Sequence, residues 1–147
     1  MDFQIFTSNS TDMKSNKILI LTLIFFFGIS GISLAQSTDS ATVVSIDTFE
    51  KMSKKKMKKT VILDVRTAEE VAEGHLARSK NIDVQGDLFE ENIEQLDKNK
   101  TYLLYCRSGK RTAVAGAKMK AAGFKNVYVM EGGITAWKEK GKPITND

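Results

Sequence analysis

Residues 101–123 read TYLLY CRSGKR TAVAGAKMKAAG, and the order of these three parts decides the fold. Thr101 to Tyr105 is the strongest strand signal in the chain, rich in aromatic and apolar residues. A short basic loop follows, and then an alanine-rich helix over Thr112–Ala122 that Gly123 stops. The same alternation runs outward in both directions. Downstream, Val127–Val129 is a strand and Ile134–Lys140 a helix ending before Gly141. Upstream, Asp87–Leu96 is a helix with Leu88, Phe89, Ile93 and Leu96 on one face, and Asn81–Val84 is a weak strand before it. Ala68–Glu73 is a short helix stopped by Gly74, and Val61–Leu63 an unalternated apolar run of the kind buried on both faces. Asp47–Met57 is helical, with Ser45 or Asp47 as N-cap, after a short β-branched run at Thr42–Ser45. Strands separated by helices imply an α/β fold, a parallel sheet with helices on both faces.

Cys106 stands directly after TYLLY, where open α/β sheets place their ligand sites. Gly109 lets the loop curl so that successive N–H groups point inward as an anion nest. The following helix adds the partial positive charge of its N-terminus. Arg107, Lys110 and Arg111 contribute three cations within the six residues 106–111. Together these features favour the anionic, nucleophilic form of the sulfur. A lone cysteine is more often inert filler, but here position, glycine and cations agree.

The chain has 147 residues, one Cys and one His. That excludes an intrachain disulfide framework and an ordinary zinc site of Cys and His ligands, and no metal or cofactor is expected. An apolar fraction of 41% excludes a disordered tail protein. Much of that apolar content lies in one segment. Met13–Gln36 has Lys14 and Lys17 as a positive start, an apolar core over Ile18–Ile29, and Ser33-Leu34-Ala35 as a cleavage signal. Residues 1–35 therefore read as an N-terminal extension and export signal, with Met1 or Met13 as the true start. Cleavage after Ala35 leaves 112 of the 147 residues and a net charge of +4. The implied location is outside the cytoplasm, the periplasm if the source is Gram-negative. If uncleaved, residues 18–35 would anchor the chain to the membrane, although the apolar core is short for a span. Residues 36–42 form a linker, 43–143 one domain and 144–147 a tail.

Four motifs in register resemble a single-domain rhodanese: Leu63-Asp64-Val65-Arg66 with Glu69-Glu70, then Glu73-Gly74-His75-Leu76, then Cys106–Thr112, then Ala121–Val127 with Glu131–Trp137. The resemblance runs from Val43 to Pro143. It implies a rhodanese-like five-stranded parallel sheet and sulfurtransferase activity, with Cys106 carrying a persulfide between a small anionic sulfur donor and a thiol or protein acceptor. A carrier that delivers sulfur without turnover is the alternative. Rhodanese-like phosphatases and arsenate reductases have a longer loop, whereas four residues separate Cys106 from Arg111 here, as in the sulfur-transferring members. Arg107, Ser108, Gly109, Lys110 and Arg111 are the candidate substrate contacts, Arg111 closing the loop and held largely by that loop. Asp64, Arg66 and Thr112 are candidate supports.

Other residues have plainer readings. His75 belongs to a packing turn, and Trp137 closes the core. Where many members carry a Pro-Gly-Ala turn, this chain has Ala77-Arg78-Ser79 followed by Lys80, which leaves open whether Arg78 reaches the substrate entrance. Six lysines between 51 and 59 lack interleaved aromatics, so nucleic acid is not an expected partner. They read as a solvated helix end.

Overall fold

The computed structural model describes residues 40–55 and 57–146, so the expected export segment lies outside the described residues. Strand β1 (Thr42–Val44) leads to α1 (Ile46–Lys54) and a 3-10 turn (Met57–Lys59). Then come β2 (Thr60–Asp64), α2 (Ala68–Ala72), β3 (Ser79–Asn81), α3 (Phe89–Glu94), β4 (Thr101–Tyr105), α4 (Lys110–Ala121), β5 (Asn126–Met130) and α5 (Gly133–Glu139). The strands form one sheet in the order β1-β5-β4-β2-β3. Every pairing is parallel, with Leu63 beside Leu104 and Leu104 beside Val129.

The pleat of this sheet sorts its side chains into two cores. Leu63, Tyr102, Leu104, Val127 and Val129 pack on one face with Phe89 and Ile93 of α3 and Ala115 and Met119 of α4. Ile62, Leu103, Tyr105 and Met130 pack on the other with Ile46 and Phe49 of α1 and Ile134 and Trp137 of α5. Helices thus cover both faces, as strands buried on both sides require. The order of strands also makes a crevice. After β2 the chain moves outward to β3, and after β4 it moves the other way to β5. The connections diverge above the carboxyl ends of β2 and β4, which is where such sheets bind ligands.

The weak strand is displaced from its expected position. It occupies Ser79–Asn81 rather than Asn81–Val84; beyond it the Ile82 and Val84 N–H groups donate to the Asp64 and Val65 carbonyls at 3.0 and 3.3 Å, and their side chains join the α3/α4 core. The turn before it is built around Arg78, whose φ of 65° is left-handed. The Ser79 N–H donates to the Leu76 carbonyl at 3.1 Å across this turn, the closure of a type II turn. The Arg78 side chain donates to the Ser53 carbonyl at 3.1 Å, tying it to the end of α1. A left-handed residue with a Cβ costs about 1–2 kcal/mol. Arg78→Gly and Arg78→Ala lose the same side-chain bond, but only glycine releases that strain. Urea unfolding should place the glycine variant about 1 kcal/mol above the alanine variant.

The ends of the domain are longer than the expected boundaries. Thr42 is already in β1, beside Tyr128, and Ala41 packs against the core, so part of the expected 36–42 linker is folded. The expected 144–147 tail is likewise taken in at Thr145, which exchanges two backbone hydrogen bonds with His75 at 2.8 Å each. Trp137 donates its Nε1–H to the Pro143 carbonyl at 2.9 Å and meets Phe49 edge to face.

Candidate functional site

Cys106 leaves the end of central strand β4 on the α3/α4 face and is 1% exposed. Gly109 adopts φ 97°, which turns its N–H back onto the cysteine, and this N–H donates to Cys106 Sγ at 3.1 Å. The glycine is needed for that φ rather than for space, since a Cβ there would meet nothing closer than 3.7 Å. With Gly109 as its N-cap, α4 starts at Lys110 rather than at the expected Thr112. Lys110 and Arg111 therefore lie in the first helical turn, and the open loop is only Arg107–Gly109. Thr112 is fully buried and donates its hydroxyl to the Gly109 carbonyl at 2.7 Å, closing the turn. The unpaired N–H groups of α4 and its positive end are thereby held at the cysteine loop.

The loop is braced by a second helix terminus. The Ile134 N–H donates to the Cys106 carbonyl at 2.8 Å and the Thr135 N–H to the Arg107 carbonyl at 3.1 Å. This requires the start of α5 to approach the loop backbone closely. A Cβ on Gly133 would lie 2.4 Å from the Cys106 carbonyl oxygen and 2.5 Å from that of Arg107. Glu131–Trp137 is legible as a motif in the sequence, but this contact is not, because it depends on where β5 delivers the chain.

Arg111 is held differently from expectation. Its Nη1 and Nη2 donate to the two carboxylate oxygens of Glu70 at 2.5 and 2.7 Å, and Nη1 also donates to Gln85 Oε1 at 3.2 Å. The guanidinium is thus fastened by α2 and the loop after β3, across the crevice between β2 and β4, and not by its own loop. A two-point pair of this kind fixes orientation as well as charge. Glu70 also completes a capping box with Thr67, whose Thr-Ala-Glu-Glu spelling was the available sequence signal. Nothing in the sequence pointed to Gln85.

The hydrogen bond from Arg111 holds the Glu70 carboxyl below its usual value of 4.5. Because the folded value is the lower one, the stabilisation is complete above pH 4.5 and is lost as pH falls through the folded value. Glu70→Gln should cost about 1–2 kcal/mol at neutral pH. In urea unfolding across a pH series, the gap to the parent should close below pH 4.5, where Glu70 itself takes up a proton. A gap that is constant with pH would show that the charge of Glu70 is not what matters.

Asp64 and Arg66 form the expected pair, and it is buried. Arg66 Nε donates to both carboxylate oxygens at 2.9 and 3.0 Å, and Nη2 to Oδ2 at 2.5 Å. Its remaining donors reach the carbonyls of Glu70 at 3.1 Å and Gly74 at 2.8 Å, and its guanidinium carbon stands over the Tyr105 ring, 5.6 Å from the centroid. The pair therefore shapes the turn that presents Glu70 to Arg111. Tyr105 finishes this support: its hydroxyl donates to Ser79 Oγ at 3.0 Å and accepts the Leu76 N–H at 3.1 Å. Burial pushes its phenol well above the usual range.

His75 Nδ1 lies 3.1 Å from the Leu76 carbonyl and 3.5 Å from Ser79 Oγ, in the turn that Thr145 bridges. Arg107, Ser108 and Lys110 are exposed around the cysteine loop, free to meet a ligand. Of the lysine-rich stretch, Lys54 pairs with Glu50 one helical turn away. Among the described residues no helix is long and apolar enough to cross a membrane.

A parallel α/β sheet that offers a cysteine to a glycine-turned anion nest defines a class of domains working through a thiol. Residues 45–140 match the Rhodanese-like domain, and the chain belongs to that family. It is 44% identical over 82 residues to YtwF of Bacillus subtilis, named as a sulfurtransferase, covering 56% of this chain and 77% of that one. It is also 38% identical over 95 residues to the tRNA uridine(34) hydroxylase of Yersinia pestis, covering 58% of this chain but only 26% of the enzyme. Among solved structures, a rhodanese-related protein from Thermoplasma volcanium superimposes with a TM-score of 0.62 at 29% identity, covering 72% of this chain and 99% of that one. A rhodanese-like domain protein from Staphylococcus aureus does so with a TM-score of 0.56 at 33% identity, covering 65% and 90%. Family membership and the named relative support a sulfurtransferase-type function.

Proposed function

We propose that this protein transfers sulfane sulfur from thiosulfate, or a similar anionic donor, to a nucleophilic acceptor through a persulfide on Cys106. The observation that carries the reading is the Gly109 N–H aimed at Cys106 Sγ at 3.1 Å, inside a loop flanked by exposed Arg107 and Lys110. Those two side chains receive the donor's anionic end. The Cys106 thiolate attacks the outer sulfur, forming an S–S bond as the donor's own S–S bond breaks, and sulfite leaves with the bonding pair. The inward N–H groups of the loop stabilise the charge on the departing anion. An acceptor such as cyanide or a thiol then removes the outer sulfur and restores the thiolate. Arg111, with both terminal nitrogens on Glu70, holds the wall of the site rather than moving onto substrate.

Intact-mass analysis after thiosulfate treatment tests this reading. The parent should gain the mass of one sulfur atom and lose it to cyanide, and Cys106→Ser should gain none. No addition to the parent, or equal addition to the variant, overturns it. Saturable thiosulfate:cyanide turnover separates an enzyme from a carrier that loads once and waits for a partner. The short Cys106–Arg111 loop supports sulfur rather than phosphate or arsenate chemistry, and thiosulfate-dependent loading distinguishes these as well. Export of the domain through residues 1–35 belongs to the same proposal. Amino-terminal sequencing of the protein from its native cells checks it, with Gln36 as the expected first residue.

A further inference from the structure

The end of the sheet opposite Cys106 is strongly basic. The connections that enter β2, β4 and β5 read KKMKK over 55–59, QLDKNK over 95–100 and AGFK over 122–125, so seven lysines stand against one acid, Asp97. The parallel register sets Thr60 beside Thr101 and Thr101 beside Asn126. Lys59, Lys100 and Lys125, each one residue earlier, therefore stand side by side at the amino ends of three adjacent strands, about 4.8 Å from one strand to the next. Arg78 stands just before β3, the next strand in the row, and its bond to the Ser53 carbonyl ties it to the end of α1. Lysines at helix ends have an ordinary use: Lys51 and Lys54 complement the last turn of α1. The row lies outside the α-helices and has no such use. Lys59, Lys100 and Lys125, with Lys55, Lys58 and Lys98, make no ion pair among the described residues. Lys125 Nζ donates to Asn99 Oδ1 at 3.2 Å and Lys98 Nζ lies 5.9 Å from the Phe124 ring centroid, both neutral partners. The Asp97 carboxylate accepts the Asn99 N–H at 2.9 Å. Like charges on neighbouring strands repel, and nothing in the fold offsets this row.

We propose that this end of the domain docks on an anionic phospholipid surface, leaving the cysteine loop at the far end of β4 facing water. The chemistry of the patch selects that partner. Its connections carry lysine and no arginine, and an ammonium is a compact, hydrated point charge without the fork that reads a phosphate bidentately. Phe124 is the only aromatic residue in the three connections and is 1% exposed, so no ring is offered for a base to stack on. Protein interfaces are anchored by buried aromatic, apolar or arginine side chains. The exposed large hydrophobics among the described residues, Val43, Leu88, Val114 and Ile144, all lie outside these connections. What remains is dense positive charge with nothing to read shape or sequence, which suits the diffuse negative potential of a lipid leaflet. Lys100 and Cys106 flank the five residues of β4, about 20 Å apart at the rise of a strand. That exceeds the Debye length of about 8 Å at physiological salt, so the cysteine loop lies beyond the field that holds the other end.

The test is co-sedimentation of the chain, as isolated from its native cells, with vesicles of phosphatidylcholine alone or mixed with anionic phosphatidylglycerol. The parent should favour the mixed vesicles at about 0.1 M salt, where the Debye length is about 10 Å, and lose that preference at about 1 M, where it is about 3 Å. Lys59→Gln combined with Lys125→Gln should weaken binding to the mixed vesicles about 25-fold, at roughly fivefold for each charge. Both side chains are exposed, and a urea midpoint matching the parent's shows that lost binding is not lost fold. Arg107→Gln combined with Lys110→Gln removes the same charge from the opposite end and should change binding less than about twofold. Equal binding to the two kinds of vesicle, no binding to the mixed ones, or equal loss from the two pairs of substitutions overturns the proposal. Retention on a duplex oligonucleotide without binding to the mixed vesicles overturns it in favour of nucleic acid.

Discussion

Cys106→Ser should lower kcat/KM for thiosulfate:cyanide transfer by about four orders of magnitude or more while the domain stays folded. A serine hydroxyl remains un-ionised at neutral pH and has no persulfide-like intermediate to form, so the two half-reactions have nothing to share. The hydroxyl still accepts a hydrogen bond from the Gly109 N–H, in the place where Sγ does so at 3.1 Å. The urea midpoint should therefore move by only about 1 kcal/mol. Steady-state turnover and intact mass, measured on the same preparation, separate lost chemistry from lost fold. Activity within about tenfold of the parent would mean that another group carries the sulfur.

Arg66→Leu should be the most damaging change to stability, at about 3–5 kcal/mol. Asp64 is fully buried, and without the Arg66 guanidinium its carboxylate loses three hydrogen bonds and retains the backbone N–H of residue 66, at 3.1 Å. A buried charge without its partner costs more than the pair contributed. The carbonyls of Glu70 and Gly74 would lose a donor at the same time. Since domains of this size hold about 5–15 kcal/mol, a large part of the margin would go. Asp64→Asn on the same background should recover part of the loss, because the amide is neutral and can still accept. Equilibrium unfolding of the single and double variants measures both effects. A single-variant loss below about 1 kcal/mol would show that water reaches Asp64 and that the pair is not the frame of the site.

The local elements were legible because they rest on local chemistry. Ser45 accepts from the Thr48 N–H as the cap of α1, and the TYLLY run is the central strand that its aromatic and apolar content implied. Where the reading slipped, a long-range term overrode a local one. The run Asn81–Val84 looked like a strand by composition, but only its first residue lies in β3, and the side chains of Ile82 and Val84 are buried in the core with α3 and α4. Helix α4 started earlier than its first helix-forming residues suggested, because a left-handed Gly109 and the Thr112 hydroxyl complete the turn.

The alternation of strands and helices, the one cysteine after the central strand, and the glycine and cations beside it are all written in the order of residues. These follow from periodicity, caps and spacing within about a dozen residues, the range over which local propensities act. What each cation does depends on the folded assembly. Residues 70 and 111 are separated by 41 positions, and their pairing exists because the parallel sheet brings the ends of β2 and β4 together. The same assembly carries the start of α5 onto the Cys106 and Arg107 carbonyls and leaves Lys110 and Glu131 facing an open cleft. Spacing reveals that charges are present, but burial and neighbouring strands decide which of them are spent on the fold and which remain for a ligand.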